Sequence, residues 1–348
     1  MNPDLTPYLD ATECELRDLL APRERCTTPL YQMMRYHMGW ANRDFEPEEA
    51  PRGKRLRPVF CLLACQATGG DWTRAVPAAA AVELIHNFSL IHDDIEDNDK
   101  ERRHRATVWA IWGVPQGVNT GDTLWILSQL AMQRLLEHGH TPDTVLRVVR
   151  TLNEAVLELC TGQYLDLHFE TVETVPVADY ERMVSGKTGA LLSGAVASGA
   201  ILGGATPGDV EHYRAFGLEL GLAFQMADDI LGVWGDPRVT GKSAASDILA
   251  KKKTLPVLHA LAHESAHGQD DLRRLYAQPQ MRAADIPQVL ALLERAGARN
   301  ETQARANEHL ERALVHLDSV PADQPAHTAQ PAHAALRHLA LSLVERSS

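Results

Sequence analysis

Two pairs of adjacent aspartates lie at the ends of apolar helical patterns, and they are the side chains best suited to chemistry. The first pair is Asp93-Asp94, and Asp97 follows one helical turn after Asp93. Residues at this spacing share one helix face, where two like charges destabilise the helix. The second pair is Asp228-Asp229. A bound cation would compensate the repulsion in each motif.

The chemistry of these carboxylates predicts magnesium. This ion takes hard oxygen ligands and is commonly held by one or two carboxylates together with substrate phosphates. No cysteine or clustered histidine accompanies either pair. Either pair taken singly is also typical of an acidic, solvated helix end. The repetition on a second apolar helix favours two motifs that face each other across a cavity and share metal ions.

Lysines and arginines recur along the chain around the two aspartate motifs. Arginine offers a planar fork to phosphate oxygens and lysine a mobile point charge, so the mixture suits ligands with two phosphates. Any one of these clusters is equally typical of a solvated surface. The candidates are Lys54, Arg55, Arg57, Arg102, Arg103, Lys187, Lys242 and Lys251 to Lys253.

Long helices must position these side chains. Apolar residues recur with helical spacing through almost the whole chain, and the alternation typical of strands is nearly absent. No strong linker divides the sequence. We therefore predict an all-α fold with a single domain over residues 1–348, a large bundle of long, mostly antiparallel helices around a central cavity. The longest helical patterns cover Pro77 to Glu96, Gly117 to Glu137, Thr141 to Phe169, Ala178 to Leu202 and Gly208 to Val233.

The composition limits the function classes that need to be considered. The formal charge of −12 argues against nucleic acid as a partner. Five cysteines without paired spacing indicate reduced thiols rather than disulfides or zinc. The polar, acidic N-terminus lacks the features of a signal peptide, and no apolar run reaches spanning length. We expect a cytoplasmic protein without stable membrane insertion.

The ordered set of motifs resembles the trans-type polyprenyl synthetases from about Gly53 to Leu258. This family elongates allylic diphosphates with isopentenyl diphosphate and has the isoprenoid synthase fold. The resemblance implies that Lys54, Arg57 and His86 bind isopentenyl diphosphate, with Arg55 as a further candidate. It also implies that Asp93, Asp94 and Asp97 are the first motif, whose magnesium ions hold the allylic diphosphate. Three ions are expected with bound diphosphate.

The resemblance extends to a second group of residues. Arg102 is expected at the allylic diphosphate and Arg103 at the isopentenyl diphosphate. Asp228 is expected to bind metal in the second motif. The remaining matches, which the family pattern assigns to catalysis or substrate binding, are Lys187, Thr188, Gln225, Lys242 and Lys252, and Asp166 matches a further family motif.

Two departures from the family pattern bear on the site. Gly232 stands where many members carry the third aspartate of the second motif. Asp228 must then do most of the chelation, and whether Asp229 or Asp236 replaces the missing carboxylate is left open. His104 stands where a glycine is usual after the arginine pair.

Product length should depend on residues below the first motif, because a chain bound by its diphosphate at Asp93 must extend between the helices. Ser89 lies one turn below Asp93, and Phe88 lies about 7.5 Å along the helix axis. A phenylalanine there is also typical of ordinary helix packing. In the family, this pattern is similar to geranylgeranyl diphosphate synthases of the archaeal type, which favours a C20 product, with C15 and C25 open.

The implied reaction condenses isopentenyl diphosphate with dimethylallyl, geranyl or farnesyl diphosphate. A class I terpene cyclase is an alternative, but it would not need an isopentenyl site and its usual second motif is absent. A non-catalytic partner subunit of another prenyl synthase is a second alternative. The family forms dimers, and on that resemblance we expect a homodimer.

Overall fold

The computed structural model describes residues 3–22, 24–51, 53–235, 245–320 and 329–345. Helices dominate these residues, so the predicted all-α fold is confirmed. Within the described part of the chain, the strands are β1 (Glu101–Arg102) and β2 (Arg105–Ala106), which form one antiparallel pair. No helix in that part is long and apolar enough to cross a membrane.

The helices follow in chain order. The first eight are α1 (Thr6–Leu19), α2 (Thr28–His37), α3 (Leu56–Ala67), α4 (Val76–Glu96), α5 (Val108–Trp112), α6 (Val114–Gln133), α7 (Pro142–Thr171) and α8 (Val177–Val184). The others are α9 (Ala190–Leu202), α10 (Pro207–Trp234), α11 (Ser246–Leu249), α12 (Leu255–Ala266), α13 (Asp271–Ala277), α14 (Ile286–Arg295), α15 (Ala298–Asp318) and α16 (Ala329–Val344).

The chain folds into two compact units. Unit 1 comprises Met1–Glu154, Gly194–Glu211 and Pro321–Leu336, and unit 2 comprises Ala155–Ser193, His212–Val320 and Arg337–Ser348. Unit 1 therefore contains the first aspartate motif, and unit 2 contains the second. The single domain over residues 1–348 stays a prediction.

The long helices agree closely with the apolar patterns, with one exception. The pattern from Ala178 to Leu202 predicted one continuous helix, but Ser185–Gly189 form a π-helical turn between α8 and α9. The predicted segment is helical throughout, but this turn is π-helical rather than α-helical. π-Helical turns are rare and occur frequently at functional sites, and this one carries Lys187 and Thr188.

Two glycines of α6 bring it close to the end of α4 that carries the first motif. A Cβ on Gly117 would lie 2.8 Å from the Ile95 side chain, and a Cβ on Gly121 would lie 2.3 Å from the His92 ring. Ile95 and His92 flank the aspartates in sequence. The missing side chains on α6 therefore let α4 pack closely and fix the position of the motif in unit 1.

Strands β1 and β2 are joined by a two-residue loop, Arg103-His104. Both loop residues have positive φ, 54° and 62°. These are the φ signs of a type I′ turn. Such a turn favours glycine, which has no Cβ to clash with the backbone, and asparagine, which tolerates the left-handed conformation. The loop thereby reverses the chain between Arg102 and Arg105. His104 adopts a backbone conformation that suits glycine better than histidine.

Replacing His104 with glycine should stabilise the protein. Glycine adopts the left-handed conformation at position 104 without the strain that a Cβ causes, so the free energy of unfolding is expected to rise by about 1 kcal/mol. Urea denaturation of the wild type and the variant measures this difference. His104→Ala is the matched control, since it removes the imidazole but keeps Cβ. An equal gain in both variants would show that the imidazole, not the backbone conformation, is responsible.

Candidate active site

The first aspartate motif in unit 1 contains two carboxylates in different environments. Asp94 is only 2% exposed and accepts a 2.6 Å hydrogen bond from Arg102 Nε. Asp93 is more exposed, and its Oδ2 lies 3.3 Å from Arg102 Nη2. Burial raises the pKa of Asp94 to about 6, although the Arg102 guanidinium acts in the opposite direction. Asp94 is thus an anchor for Arg102, whereas Asp93 and the partly exposed Asp97 are better placed for a ligand.

A cationic group lies beside this motif. Arg57 Nη1 is 3.5 Å from His86 Nε2, and the Arg103 guanidinium packs over Gly53. Burial lowers the pKa of His86 well below its usual value, and the charges of Arg57, Arg103 and Arg102 lower it further. The imidazole is therefore neutral among guanidinium groups. Such a group suits a polyanion, because a ligand phosphate would relieve the repulsion among the arginines.

Arg55 was a further candidate for the isopentenyl site, but its contacts indicate a structural role. It is 9% exposed, forms an ion pair with Glu13, and has its Nε 3.8 Å from Glu83 Oε1. Its guanidinium also lies 5.7 Å from the Trp40 ring centroid. The neighbouring Lys54 is exposed instead. Of this adjacent pair, Lys54 is the better ligand candidate.

The two residues predicted to limit product length are on α4. Phe88 is 9% exposed and packs against Trp125 of α6 and His92, with ring centroids 5.6 and 5.7 Å apart. The Ser89 hydroxyl donates a 2.8 Å hydrogen bond to the carbonyl oxygen of His86. Phe88 therefore has a fixed position between α4 and α6, below the first motif.

The second group of site residues, in unit 2, is positioned by glycines at the π-helical turn. A Cβ on Gly162 of α7 would lie 2.1 Å from the backbone nitrogen of Lys187, and one on Gly186 would lie 2.6 Å from the carbonyl oxygen of Glu158. On the other side, a Cβ on Gly221 of α10 would lie 2.5 Å from Gly189 Cα. Only glycines permit backbones to approach this closely. The turn therefore packs directly on both α7 and α10.

Close packing of the turn produces a connected polar network. Lys187 Nζ lies 2.5 Å from Asp166 Oδ2 on α7. Thr188 donates a 2.9 Å hydrogen bond to Gln225 Oε1 on α10, and Gln225 Nε2 donates a 3.0 Å bond to Asp229. The structure thus pairs Lys187 with Asp166 and Thr188 with Gln225, and it orients Gln225 from both ends.

The second aspartate motif repeats the division seen in the first. Asp228 is exposed, whereas Asp229 is 4% exposed. Asp229 accepts hydrogen bonds from the Tyr180 hydroxyl at 2.6 Å and the Leu255 N–H at 2.9 Å. Burial raises the pKa of Asp229 to about 7, against the lowering effect of these donors. In both motifs, the first aspartate is the more exposed of the pair, and the second fixes the helix end.

The three consecutive lysines that follow have different roles. Lys253 donates to the carbonyl oxygens of Phe169 and Val172 at the end of α7, and Lys251 donates to that of Gln278 at 2.5 Å. Lysines suit this position because they satisfy the last carbonyl groups of a helix. Lys252 is exposed and is the ligand candidate among the three. Lys242 and Asp236 lie outside the described residues.

Two residues of these clusters were missed by the sequence predictions. Glu83 is buried beside Arg55, and its position as a lone charge in an apolar run was a usable signal. Tyr180 holds Asp229 from α8, but nothing in its local sequence distinguishes it from a packing residue.

The donor set fits magnesium. Asp93, Asp97 and Asp228 offer hard carboxylate oxygens, and the cationic Arg102, which suits phosphate, lies 3.3 Å from Asp93. In the described residues, no three His, Cys, Asp or Glu side chains converge as a complete metal cage. That agrees with an ion held by one or two carboxylates per motif and completed by substrate oxygens.

Comparison with known proteins agrees with these clusters. Residues 45–293 match the family model described as polyprenyl synthetase. The geranylgeranyl diphosphate synthase of Mycobacterium tuberculosis (strain ATCC 25618 / H37Rv) is 41% identical over 296 residues, which cover 84% of this chain and 83% of that protein. The (2E,6E)-farnesyl diphosphate synthase of Mycobacterium bovis (strain ATCC BAA-935 / AF2122/97) is 36% identical over 339 residues, covering 96% and 89%.

A solved structure gives the same result at the level of the fold. The geranylgeranyl pyrophosphate synthetase of Pyrococcus horikoshii Ot3 superposes with a TM-score of 0.85 at 31% identity, covering 98% of this chain and 97% of that one. Sequence and fold therefore agree with the aspartate and cation clusters: this chain belongs to the polyprenyl synthetase family.

Proposed function

We propose that this protein is a cytoplasmic, magnesium-dependent trans-prenyltransferase that condenses isopentenyl diphosphate with allylic diphosphates. The observation that carries the proposal is the repeated division within the two motifs. In each motif a buried aspartate is fixed by protein donors, and its neighbour, Asp93 or Asp228, is left more exposed. Each cluster also contains cations suited to diphosphate.

The residues of unit 1 bind both substrates in this proposal. Asp93 and Asp97 hold magnesium with the allylic diphosphate, and Arg102 is anchored beside them by Asp94. Arg57, Arg103 and the neutral His86 bind the isopentenyl diphosphate, and the exposed Lys54 is a further ligand for it. The neutral His86 can donate one hydrogen bond without adding another charge.

The residues of unit 2 act on the leaving diphosphate. Asp228 holds metal, and Lys187, Lys252 and Lys242 stabilise the negative charge that develops on the leaving oxygens. Thr188 and Gln225 hold the helix end that carries Asp228 through their bonded chain to Asp229. Three magnesium ions with bound diphosphate would supply Lewis-acid neutralisation of the leaving group.

The reaction has three steps. The allylic carbon–oxygen bond breaks, and diphosphate leaves with the electron pair. The double bond of isopentenyl diphosphate then attacks the allylic cation and forms the new carbon–carbon bond. Loss of a proton to the departed diphosphate regenerates an allylic product, one isoprene unit longer. His86 is a poor base for this proton, because burial and the nearby arginines lower its pKa.

The direct test is to incubate the purified protein with Mg²⁺, isopentenyl diphosphate and each of the three starters, dimethylallyl, geranyl and farnesyl diphosphate. We expect chain elongation and release of inorganic diphosphate, with geranylgeranyl diphosphate (C20) as the main product. A single starter that yields a cyclic hydrocarbon without isopentenyl diphosphate would instead identify a class I terpene cyclase. The cationic group around Arg57 and His86 has no role in a cyclase, which acts on one diphosphate.

Product length should respond to Phe88. Its ring is fixed against Trp125, so replacement with alanine opens space below the first motif. Phe88→Ala is therefore expected to shift the main product from C20 to C25 or longer, measured by chromatography of the dephosphorylated prenols. Phe45→Ala, which removes another ring of unit 1 stacked on Trp112, is the control for general loosening. The proposed role of Phe88 in limiting product length would be contradicted if the wild-type product already exceeds C25. It would also be contradicted if Phe88→Ala and Phe45→Ala both give a C15 product.

We also propose a homodimer that forms through α6. Four apolar side chains lie exposed on this helix, as two pairs whose members are four residues apart, and exposed apolar side chains of this kind are typical of an interface. They are Val114, Val118, Ile126 and Leu130, exposed by 46, 39, 54 and 36%. Sedimentation should give twice the 38.3 kDa chain mass, and the Ile126→Asp variant should sediment as a monomer. A wild-type monomer would contradict the proposal.

A further inference from the structure

Gly232 of α10 lies one helical turn after Asp228, where many family members carry a third aspartate. The space at its missing side chain is filled. A Cβ built on Gly232 would lie 1.9 Å from Asp247 Oδ2 and 2.6 Å from Asp247 Cγ. The Asp247 carboxylate therefore already occupies the place that a side chain at position 232 would need.

The position of Asp247 is set by its own helix. It lies in α11, and the next residue, Ile248, is fully buried in an apolar cluster that includes Val233 of α10. The Lys252 N–H donates a 2.9 Å hydrogen bond to the carbonyl oxygen of Asp247. Because Val233 adjoins Gly232, the same packing that buries Ile248 holds the Asp247 side chain against α10. The carboxylate is thus positioned by the fold.

We infer that Asp247 supplies the third carboxylate of the second magnesium motif, and that Gly232 is glycine because it makes room for Asp247. Side chains four residues apart on a helix have Cβ atoms about 5–6 Å apart on one face. A carboxylate at the Gly232 Cβ position is therefore on the face that carries Asp228. The inference rests on the proposed function and adds to it a residue from a different helix.

The other candidates for the missing carboxylate are less suitable. Asp229 is held by Tyr180, Gln225 and the Leu255 N–H, so its oxygens are already used by the protein. Asp236 lies outside the described residues. Asp247, by contrast, makes no side-chain hydrogen bond or ion pair with any residue in the described ranges. It is partly exposed, and water or a metal ion can reach it.

The test measures binding in the absence of turnover. The probe is inorganic diphosphate with increasing Mg²⁺, and the readout is the rise in melting temperature of the full-length protein. For Asp247→Asn, the Mg²⁺ concentration that gives half of this rise should increase about tenfold or more, as for residues that support a bound metal. The melting temperature without metal should stay close to that of the wild type. Asp271→Asn, in the first turn of another short helix of unit 2, is the matched control and should keep the wild-type Mg²⁺ dependence.

A charge relocation completes the test. Gly232→Asp restores the family pattern, yet it should lower the metal-free melting temperature, because the new side chain would overlap the Asp247 carboxylate and add a like charge. Gly232→Asp combined with Asp247→Ala should recover both the melting temperature and the wild-type Mg²⁺ dependence. Wild-type Mg²⁺ dependence in Asp247→Asn, or a stable Gly232→Asp single variant, would overturn the inference. The proposed function is tested separately, by prenyl transfer of the wild type in the product assay, so it can hold even if the inference about Asp247 fails.

Discussion

Replacing Asp93 with alanine is expected to lower kcat/KM for condensation of isopentenyl and farnesyl diphosphates by about a thousandfold, the size typical of losing one preorganised electrostatic group. Asp93 and Asp97 form the chelating face of the first motif, and alanine at position 93 removes half of it. Thermal stability should change little, since Asp94 keeps its 2.6 Å bond to Arg102. Steady-state kinetics at saturating Mg²⁺, together with a melting curve, measure both quantities.

Asp99→Ala is the control for this prediction. Asp99 is exposed and belongs to the same acidic segment, but it lies beyond the motif, so its loss should leave kcat/KM nearly unchanged. Asp228→Ala should repeat the large loss from unit 2. Unchanged turnover in both Asp93→Ala and Asp228→Ala would refute the catalytic assignment and favour a non-catalytic partner subunit.

The sequence predicted the helices well because burial on one face imposes a regular apolar period. The pattern from Pro77 to Glu96 corresponds to a helix over Val76–Glu96, and that from Gly208 to Val233 to one over Pro207–Trp234. The π-helical turn at Ser185–Gly189 was not predicted. A π-helical turn contains about one extra residue, and this changes the apolar period too little to be read from a single sequence. The turn also depends on backbone contacts with glycines that are distant in sequence.

The sequence could not tell which member of each aspartate pair would be exposed. Adjacent helical residues point about 100° apart, and which of them is buried depends on neighbours outside the helix that carries them. Asp229 is buried because Tyr180 and the Leu255 N–H bind it, and Asp94 because Arg102 does. Local pattern alone therefore identified the motifs but not the different roles within each pair.

The same limit explains the prediction for Arg55. In sequence it is one of three cations in the four residues before Pro58, and nothing local separates it from Arg57. Its partners Glu13 and Glu83 come from α1 and α4, so only the folded chain brings them together. Arg55 is the residue before α3 and has a positive φ of 48°, so its backbone does not share the conformation of the helix. The acidic partners of each arginine must therefore be known before it is assigned to a ligand.

Replacing Gly162 with alanine should damage both stability and catalysis, although Gly162 contacts no substrate in the proposed site. The added Cβ would lie 2.1 Å from the Lys187 nitrogen and 2.7 Å from the Gly186 carbonyl carbon. Both atoms belong to the backbone, so relief requires the π-helical turn to move away from α7. We expect the free energy of unfolding to fall by about 1–3 kcal/mol, as for overpacked interiors.

The catalytic loss should exceed what instability explains. Moving the turn separates Lys187 from Asp166 and draws Thr188 away from Gln225, so two side chains lose their positions together. A displacement of about 1 Å at a reacting centre can cost about a hundredfold in rate, and we expect a loss of that size in kcat/KM at a temperature where the variant is fully folded. Gly208→Ala, in the first turn of α10 with its nearest neighbouring atom 3.8 Å away, is the matched glycine control and should retain both stability and activity. Full activity in Gly162→Ala would show that Lys187 and Thr188 do not depend on the close contact between the turn and α7.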